Sequence, residues 1–411
     1  MRILVQKYGG TSVMGLERMR LVLARVQKAH VEGYKLVVAL SAMSGVTNRL
    51  LAQAREFSAN PDPAELDVLV TTGEQASVAL FSMLAKDAGL RARSLLGFQI
   101  PITTNSNFSR ARIMDIDTVR VKAMLEDHDV LVVAGFQGVD CNGRLTTLGR
   151  GGSDTTGVAL AAALEAEVCE IYTDVNGVYT TDPNLCSNAR KLDRISYDEM
   201  LELSSQGAKV LQIRSVELAK KFNVPVRVRS TFTDDPGTLV TLEDTEMEDV
   251  LVSGIAYDKD QCRITVRNVM DRPGVAASIF APIAEAGILV DMIIQNTGRD
   301  GRTDMTFTIS RANLDKTLAI LEHLRPVIGC EDIQHDIHVC KVSVIGVGMR
   351  SHSGVASTMF TLLKKENINI LMIATSEIKI TCLIEEKYVE LAVRTLHDAF
   401  GLSEGPAKAC P

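Results

Sequence analysis

The chain has 411 residues, 46% hydrophobic and 23% charged, with a net charge of −7; this is material for two or three packed domains. No basic run or aromatic-interleaved Lys/Arg patch appears, which argues against nucleic acid as a partner, and no apolar run approaches the roughly 18 residues of a membrane span. The apolar run in Met1–Lys7 reads as too short for a signal peptide, and eight cysteines without a C-x-x-C pair read as reduced thiols of a cytoplasmic protein rather than a disulfide frame or zinc site.

Residues 2–6 predict a short apolar strand. It runs into Lys7-Tyr8-Gly9-Gly10-Thr11-Ser12 and then a helical pattern to about His30. Strand, glycine turn and helix suit phosphate cradling, although neither the P-loop nor the G-x-G-x-x-G spacing is present. Lys7 could reach a transferring phosphate from the strand end, and taken alone it also reads as a surface lysine. Leu36–Ser41 is a continuous apolar strand of the kind buried on both faces in a parallel sheet. Its end, Ser41 to Asn48 with Thr47, is small and polar, where α/β proteins bind ligands. A helix follows around residues 72–86. Glu74 on it could hold an ammonium or simply be a solvated carboxylate.

Val130–Gly138 predicts another buried strand, and Asp140–Arg144 a hairpin turn. The stretch Thr146-Thr147-Leu148-Gly149-Arg150-Gly151-Gly152-Ser153-Asp154-Thr155-Thr156-Gly157 then opens an Ala/Leu-rich helix. A helix start carries free N–H groups and partial positive charge. Glycines there admit an anion closely, and Arg150 offers a fork suited to a carboxylate. Read alone, Gly151-Gly152-Ser153-Asp154 also fits an ordinary helix cap. Val168–Asp174 is a strand, followed by the hydroxyl- and acid-rich loop Val175–Asn184. Residues 196–221 read as helical, and Val224–Arg229 as a strand. From Ser230 to Asp258 there is no Lys or Arg while acids accumulate around Pro236-Gly237, which marks a boundary near 231–249. Beyond it lies a repeat at an offset of 80 residues: Arg272-Pro273-Gly274-Val275-Ala276 matches His352-Ser353-Gly354-Val355-Ala356. Each copy has the order β-α-β-β-α of a ferredoxin-like module.

Together, Lys7–Ser12, Gly149–Asp154 and Thr173-Asp174 with Tyr179–Asn184 resemble the amino-acid kinase family, in its aspartate kinase branch, and the tandem repeat resembles that branch's paired ACT domains. The resemblance spans nearly the whole chain. It implies an α/β, three-layer amino-acid-kinase fold with a mainly parallel sheet over residues 1–230. An acidic linker over 231–249 and two βαββαβ ACT domains over 250–330 and 331–411 follow, with strand exchange between the copies allowed. The length leaves no room for a fused dehydrogenase.

The resemblance also implies the chemistry: Mg-ATP phosphorylates L-aspartate to 4-phospho-L-aspartate, toward lysine, threonine and methionine. Lys7 neutralises the transferring phosphoryl group, Lys209 contacts the ATP phosphates, and Asp154 orients both lysines. The ATP site takes Lys7, Tyr8, Gly9, Gly10, Ser41, Asp154, Thr173, Asp174, Tyr179, Thr180, Thr181, Asp182, Pro183, Asn184, Lys209 and Val210. Tyr8 stands where the family usually has Phe. Aspartate meets Arg150 through its α-carboxylate and Glu74 through its amino group, with Thr47, Gly151, Gly152 and Ser153 nearby. No protein ligand for a metal is expected, since Mg²⁺ arrives with ATP.

Threonine matches Asp271, Arg272, Pro273, Gly274, Val275, Ala276, Leu289, Val290, Asp291, Gln295 and Asn296. Lysine matches Val355, Ala356, Asn369, Ile370 and Ser376, although Ser353 stands where a proline is common. The ACT pair implies a homo-oligomer or an α/β hetero-oligomer, with no nucleic-acid or membrane partner; Met247 could start a separate regulatory subunit. The alternatives are a kinase of another acidic amino acid, such as N-acetylglutamate, and a non-catalytic amino-acid sensor.

Overall fold

A computed structural model describes residues 1–207, 210–248, 250–295, 301–352 and 354–404, in two compact units. The first comprises Met1–Tyr179, Lys191–Ser205 and residues 210–248. Its elements are β1 (Ile3–Tyr8), α1 (Leu16–Val31), β2 (Lys35–Leu40), α2 (Val46–Phe57), α3 (Pro63–Asp87), β3 (Ala92–Leu95), β4 (Ile102–Thr104), β5 (Ile113–Ile116), α4 (Thr118–Asp127) and β6 (Val130–Ala134). They continue with β7 (Gln137–Val139), β8 (Leu145–Thr147), α5 (Gly152–Leu164), β9 (Cys169–Thr173), β10 (Arg194–Ser196), α6 (Tyr197–Ser205), α7 (Ile213–Phe222), β11 (Val226–Ser230), β12 (Thr238–Thr241) and α8 (Thr245–Glu248).

An eight-stranded sheet has the order β10-β12-β11-β9-β1-β2-β6-β3. Strands β11, β9, β1, β2, β6 and β3 run parallel, and β12 is antiparallel to β11. The central strands are apolar along their length because helices cover both faces. On one face α1 and α3 pack Val22, Val26 and Phe81 against Leu4, Tyr8, Val38 and Val132. On the other, α5 approaches β1 so closely that a Cβ on Gly157 would lie 3.1 Å from Lys7 Cβ. Helix α5 is buried almost all round, which explains its Ala/Leu composition without a polar stripe. Among the described residues only α3 has the length and hydropathy of a membrane span, and half of that window is buried inside this unit. The small sheet β5-β4-β7-β8 carries the chain into α5.

Two details differ from the sequence reading. The helix expected over 196–221 is two helices, α6 and α7, interrupted at the low-propensity run Ser204-Ser205-Gln206-Gly207. The stretch 231–249 is not wholly a linker: β12 inserts between β10 and β11, burying Thr238 and Val240 by ordinary strand alternation.

The second unit contains Thr180–Arg190, Gln206, Gly207 and residues 250–404. Its elements are β13 (Gly254–Met270), α9 (Val275–Glu285), β14 (Ile293–Gln295), β15 (Arg302–Ile309), α10 (Leu314–Ile328), β16 (Asp332–Ile345), α11 (Val355–Lys365), β17 (Met372–Thr375), β18 (Lys379–Glu385) and α12 (Val389–Ala399). They build one antiparallel sheet in the order β14-β15-β13-β16-β18-β17.

The long strands β13 and β16 pair from Gly254↔Ile345 to Arg267↔Asp332, so each serves both repeats. Val252 and Ile255 pack in the core of the second repeat with Val342 and Met359. Cys330 and Ile333 pack in the core of the first with Ile264 and Phe307. A cut at 330/331 therefore follows the sequence repeat but not the packing. Each core borrows its last strand from the other copy.

Candidate active site

The carboxyl ends of β1, β2, β6, β9 and β11 meet along one edge of the parallel sheet. Lys7 is 8% exposed. Its Nζ lies 2.5 Å from Oδ1 of Asp154, in the first turn of α5. Side chains alternate across a strand, so Lys7 faces α5 while Tyr8 faces α1. The Tyr8 ring stacks on Tyr172 at 4.6 Å, and its hydroxyl donates to Gln6 Oε1 at 3.2 Å. Tyr8 was expected at the nucleotide, but its fully buried side chain leaves only backbone for that task.

Beyond β1 the chain turns through Gly9 and Gly10. Gly9 N donates to Tyr172 O at 3.2 Å, and Ser44 N donates to Gly10 O at 3.1 Å. A Cβ on Gly10 would sit 2.6 Å from the carbonyl oxygen of Ala42, so only glycine fits between these loops. Gly10→Ala is expected to push the β1 and β2 loops apart, lowering turnover by about tenfold or more while the protein stays folded; steady-state kinetics and circular dichroism check both halves.

The loop after β2 completes a ring of contacts. Ser41 N donates to Tyr8 O at 3.2 Å, and Ser41 Oγ donates to Ser153 Oγ at 2.9 Å. Ala42 N donates to Glu74 Oε1 at 3.0 Å. Glu74, on α3, is 3% exposed, and its Oε2 is buried with no partner among the described residues. Burial, only partly offset by the Ala42 N–H, pushes its carboxyl up to about 7. Thr47 is half-buried in the first turn of α2, and Arg150 is exposed on the turn before α5. Gly151 (φ +67°) caps α5; a Cβ there would fall 1.6 Å from Gln212 Cγ. Lys7, Gly9, Gly10, Ser41, Glu74, Ser153 and Asp154 thus form one connected set, bordered by Thr47, Arg150, Gly151 and Gly152.

Other expected nucleotide residues are distributed differently. Thr173 donates from Oγ1 to Asp174 Oδ1 at 3.0 Å just past β9. Tyr179 is half-buried and bridges to Lys191. Thr180, Thr181, Asp182, Pro183 and Asn184 belong to the second unit. There Thr180 Oγ1 is hydrogen-bonded to His397 Nε2 at 2.9 Å, and the Tyr257 hydroxyl donates to Asp182 Oδ2 at 2.8 Å. Val210 is half-buried; Lys209 lies outside the described residues.

In the second unit, Gly274 (φ +93°) and Gly354 (φ +114°) cap α9 and α11 alike, with Val275 and Val355 buried behind them. Asp271, Arg272, Pro273 and Ala276 surround the first cap, and Ala356 follows the second. Leu289 is 86% exposed, Val290 packs at the first core, and Asp291 forms an ion pair with the buried Lys341. Gln295 ends β14, while Asn369 and Ile370 precede β17 and Ser376 follows it. β14 and β17 are opposite edges of the sheet, so the two sets form no single site within one chain. Asn296 and Ser353 lie outside the described residues.

Sequence reasoning missed the residues that brace this site. Asp67 on α3 accepts hydrogen bonds from both Ser109 and Thr147, and Arg214 donates to two backbone carbonyls. Glu170 accepts from Gln6, Tyr172 and Arg229 beneath the Tyr8–Tyr172 stack. Only Asp67 left a signal: it stands seven residues, two helical turns, before Glu74.

The amino acid kinase family model matches residues 2–230, and ACT domain models match residues 263–325 and 342–400. An aspartate kinase of Pseudomonas putida is 53% identical over 409 residues, covering 99% of each chain. The structure of E. coli aspartokinase III in complex with aspartate and ADP, described as the R-state, aligns with a TM-score of 0.81 at 28% identity, covering 97% of this chain and 99% of that one. The same enzyme in complex with lysine and aspartate, described as the T-state, aligns at 0.76 and 28% identity, again covering 97% and 99%.

Proposed function

We propose a reaction from one premise: the chain belongs to the amino acid kinase family, in its aspartate kinase branch, and carries two ACT domains. It transfers the γ-phosphoryl group of Mg-ATP to the side-chain carboxylate of L-aspartate, giving 4-phospho-L-aspartate and ADP, as the entry to lysine, threonine and methionine synthesis in the cytoplasm. The observation that carries this reading is the buried Lys7–Asp154 pair, set between two glycine turns and joined through Ser153, Ser41 and Ala42 to Glu74.

The accepting carboxylate is already an anion, so no general base is required. The barrier is repulsion between two anions, and catalysis is positioning plus charge neutralisation. Lys7, held by Asp154, supplies positive charge where the phosphoryl group passes. The N–H groups at the start of α5 offer further donors. Lys209 serves the ATP phosphates, while Arg150 and Glu74 grip the α-carboxylate and ammonium of aspartate. Gly10, with no room for a Cβ, keeps the β1 and β2 loops close together beside Lys7. Magnesium, bound with the nucleotide, contributes further neutralisation of the phosphate charge.

Glu74 must be ionised to receive an ammonium. The aspartate kcat/KM is therefore expected to rise with pH along a limb centred near 7, and Glu74→Gln should flatten that limb in a pH–rate profile. The stability consequence has the opposite sign. The folded protein binds the Glu74 proton more tightly than the unfolded chain, so this contribution is complete below about 4.5 and is lost as pH rises through about 7.

Lysine and threonine act as feedback effectors at the ACT pair by favouring a less active arrangement, within an oligomer formed through these domains. Activity measured with neither effector, with each and with both is expected to fall most with both. No response to either would sink the effector assignment.

A further inference from the structure

We propose that Asp67 and Arg214 are positioning residues for the acidic substrate, holding the loop that carries Arg150 at the site bordered by Glu74. The inference rests on reading Arg150 as the carboxylate contact. Asp67 is 1% exposed and shares the buried face of α3 with Glu74. All its acceptor positions are used. Oδ2 accepts from Ser109 N and Thr147 N, both at 2.8 Å. Oδ1 accepts from Thr147 Oγ1 at 2.8 Å and Ser109 Oγ at 3.2 Å. Thr147 is the last residue of β8, three before Arg150.

Arg214 grips the same loop from α7. Its Nη1 donates to Leu148 O at 2.5 Å and its Nη2 to Ala111 O at 2.9 Å. Ala111 N in turn donates to Thr147 O at 2.8 Å, which closes the bracket between the two grips. The Gln212 side chain fills the space beside Gly151. The guanidinium of Arg214 is half-buried and forms no close ion pair among the described residues, Glu217 acting on it only at longer range. Arg110 and Arg112, the first beside Gly149 and the second beside Arg214, likewise form no ion pair there. Arg110, Arg112 and Arg214 thus outnumber the Asp67 and Glu217 carboxylates around the loop, which suits an anionic substrate.

Asp67's role is geometric. An asparagine can reproduce all four contacts, because its amide oxygen accepts from the two N–H groups and its NH2 donates to the two hydroxyls, which then act as acceptors. The test is steady-state kinetics on Asp67→Ala, Asp67→Asn, Arg214→Met and Arg150→Ala, with KM for aspartate and for ATP measured separately. Asp67→Ala and Arg214→Met are expected to raise the aspartate KM by about tenfold or more and to leave the ATP KM within about twofold; Asp67→Asn should recover most of the loss. In the Arg150→Ala background the Asp67 change should add nothing further, because it acts through Arg150.

If Arg150→Ala leaves the aspartate KM unchanged, the reading of the loop fails, and the proposal with it. If Arg150→Ala raises it but the other two variants do not, or if the effects multiply, the proposal alone is wrong. Should Asp67→Ala not fold, Arg214→Met carries the same prediction, and a failure of Asp67→Asn to sustain aspartate affinity contradicts the geometric role.

Discussion

Replacing Lys7 with methionine is expected to lower kcat by about a thousandfold, the scale of losing a preorganised charge at a phosphoryl transition state. Methionine keeps the stem that packs against Gly157 and removes only the ammonium. It also strands the Asp154 carboxylate, which is 8% exposed, and breaking such a pair destabilises by about 3–5 kcal/mol. The double variant Lys7→Met, Asp154→Asn separates the two effects. Thermal unfolding should show stability regained, because no buried charge remains, while turnover stays low. Turnover within about threefold of wild type would remove Lys7 from the chemistry, since one donor in such a site is worth far more.

The second large effect is expected at Arg150. Its alanine variant should raise the aspartate KM by about a hundredfold, close to 2.7 kcal/mol, as fits loss of a charge-assisted fork to a carboxylate. Stability should not change, because the side chain is exposed and forms no hydrogen bond or ion pair among the described residues. A rise in the ATP KM instead would reassign the loop to the nucleotide.

These predictions draw on features that were unevenly legible in the sequence. The runs Leu36–Leu40 and Val130–Ala134 announced a parallel sheet because strands buried on both faces need no polar positions. Lys7, Gly10 and Asp154 were legible because short loops joining strands to helices concentrate the chemistry into contiguous motifs. The fate of Tyr8 was also written there, since strand alternation must send it to the face opposite Lys7.

Arg214 was hidden because it acts on backbone brought close only by the fold, and in the chain it looks like an ordinary charge on a helix; Asp67 left only its two-turn spacing from Glu74. Strand β12 was masked by the acids on either side of Thr238–Thr241. The sharing of β13 and β16 between repeats was allowed for by the family resemblance, but its register was not readable from the repeat itself. The repeat shows that two modules exist, but their common register is a matter of tertiary pairing.

The most direct test of the central claim is trapping of the product with hydroxylamine, which converts an acyl phosphate to a stable hydroxamate. With Mg-ATP and L-aspartate, hydroxamate should form in step with ADP, depend on aspartate, and nearly vanish in the Lys7→Met protein. ADP formation with no aspartyl hydroxamate, or hydroxamate formed from another acidic amino acid such as N-acetylglutamate in preference to aspartate, would contradict the account.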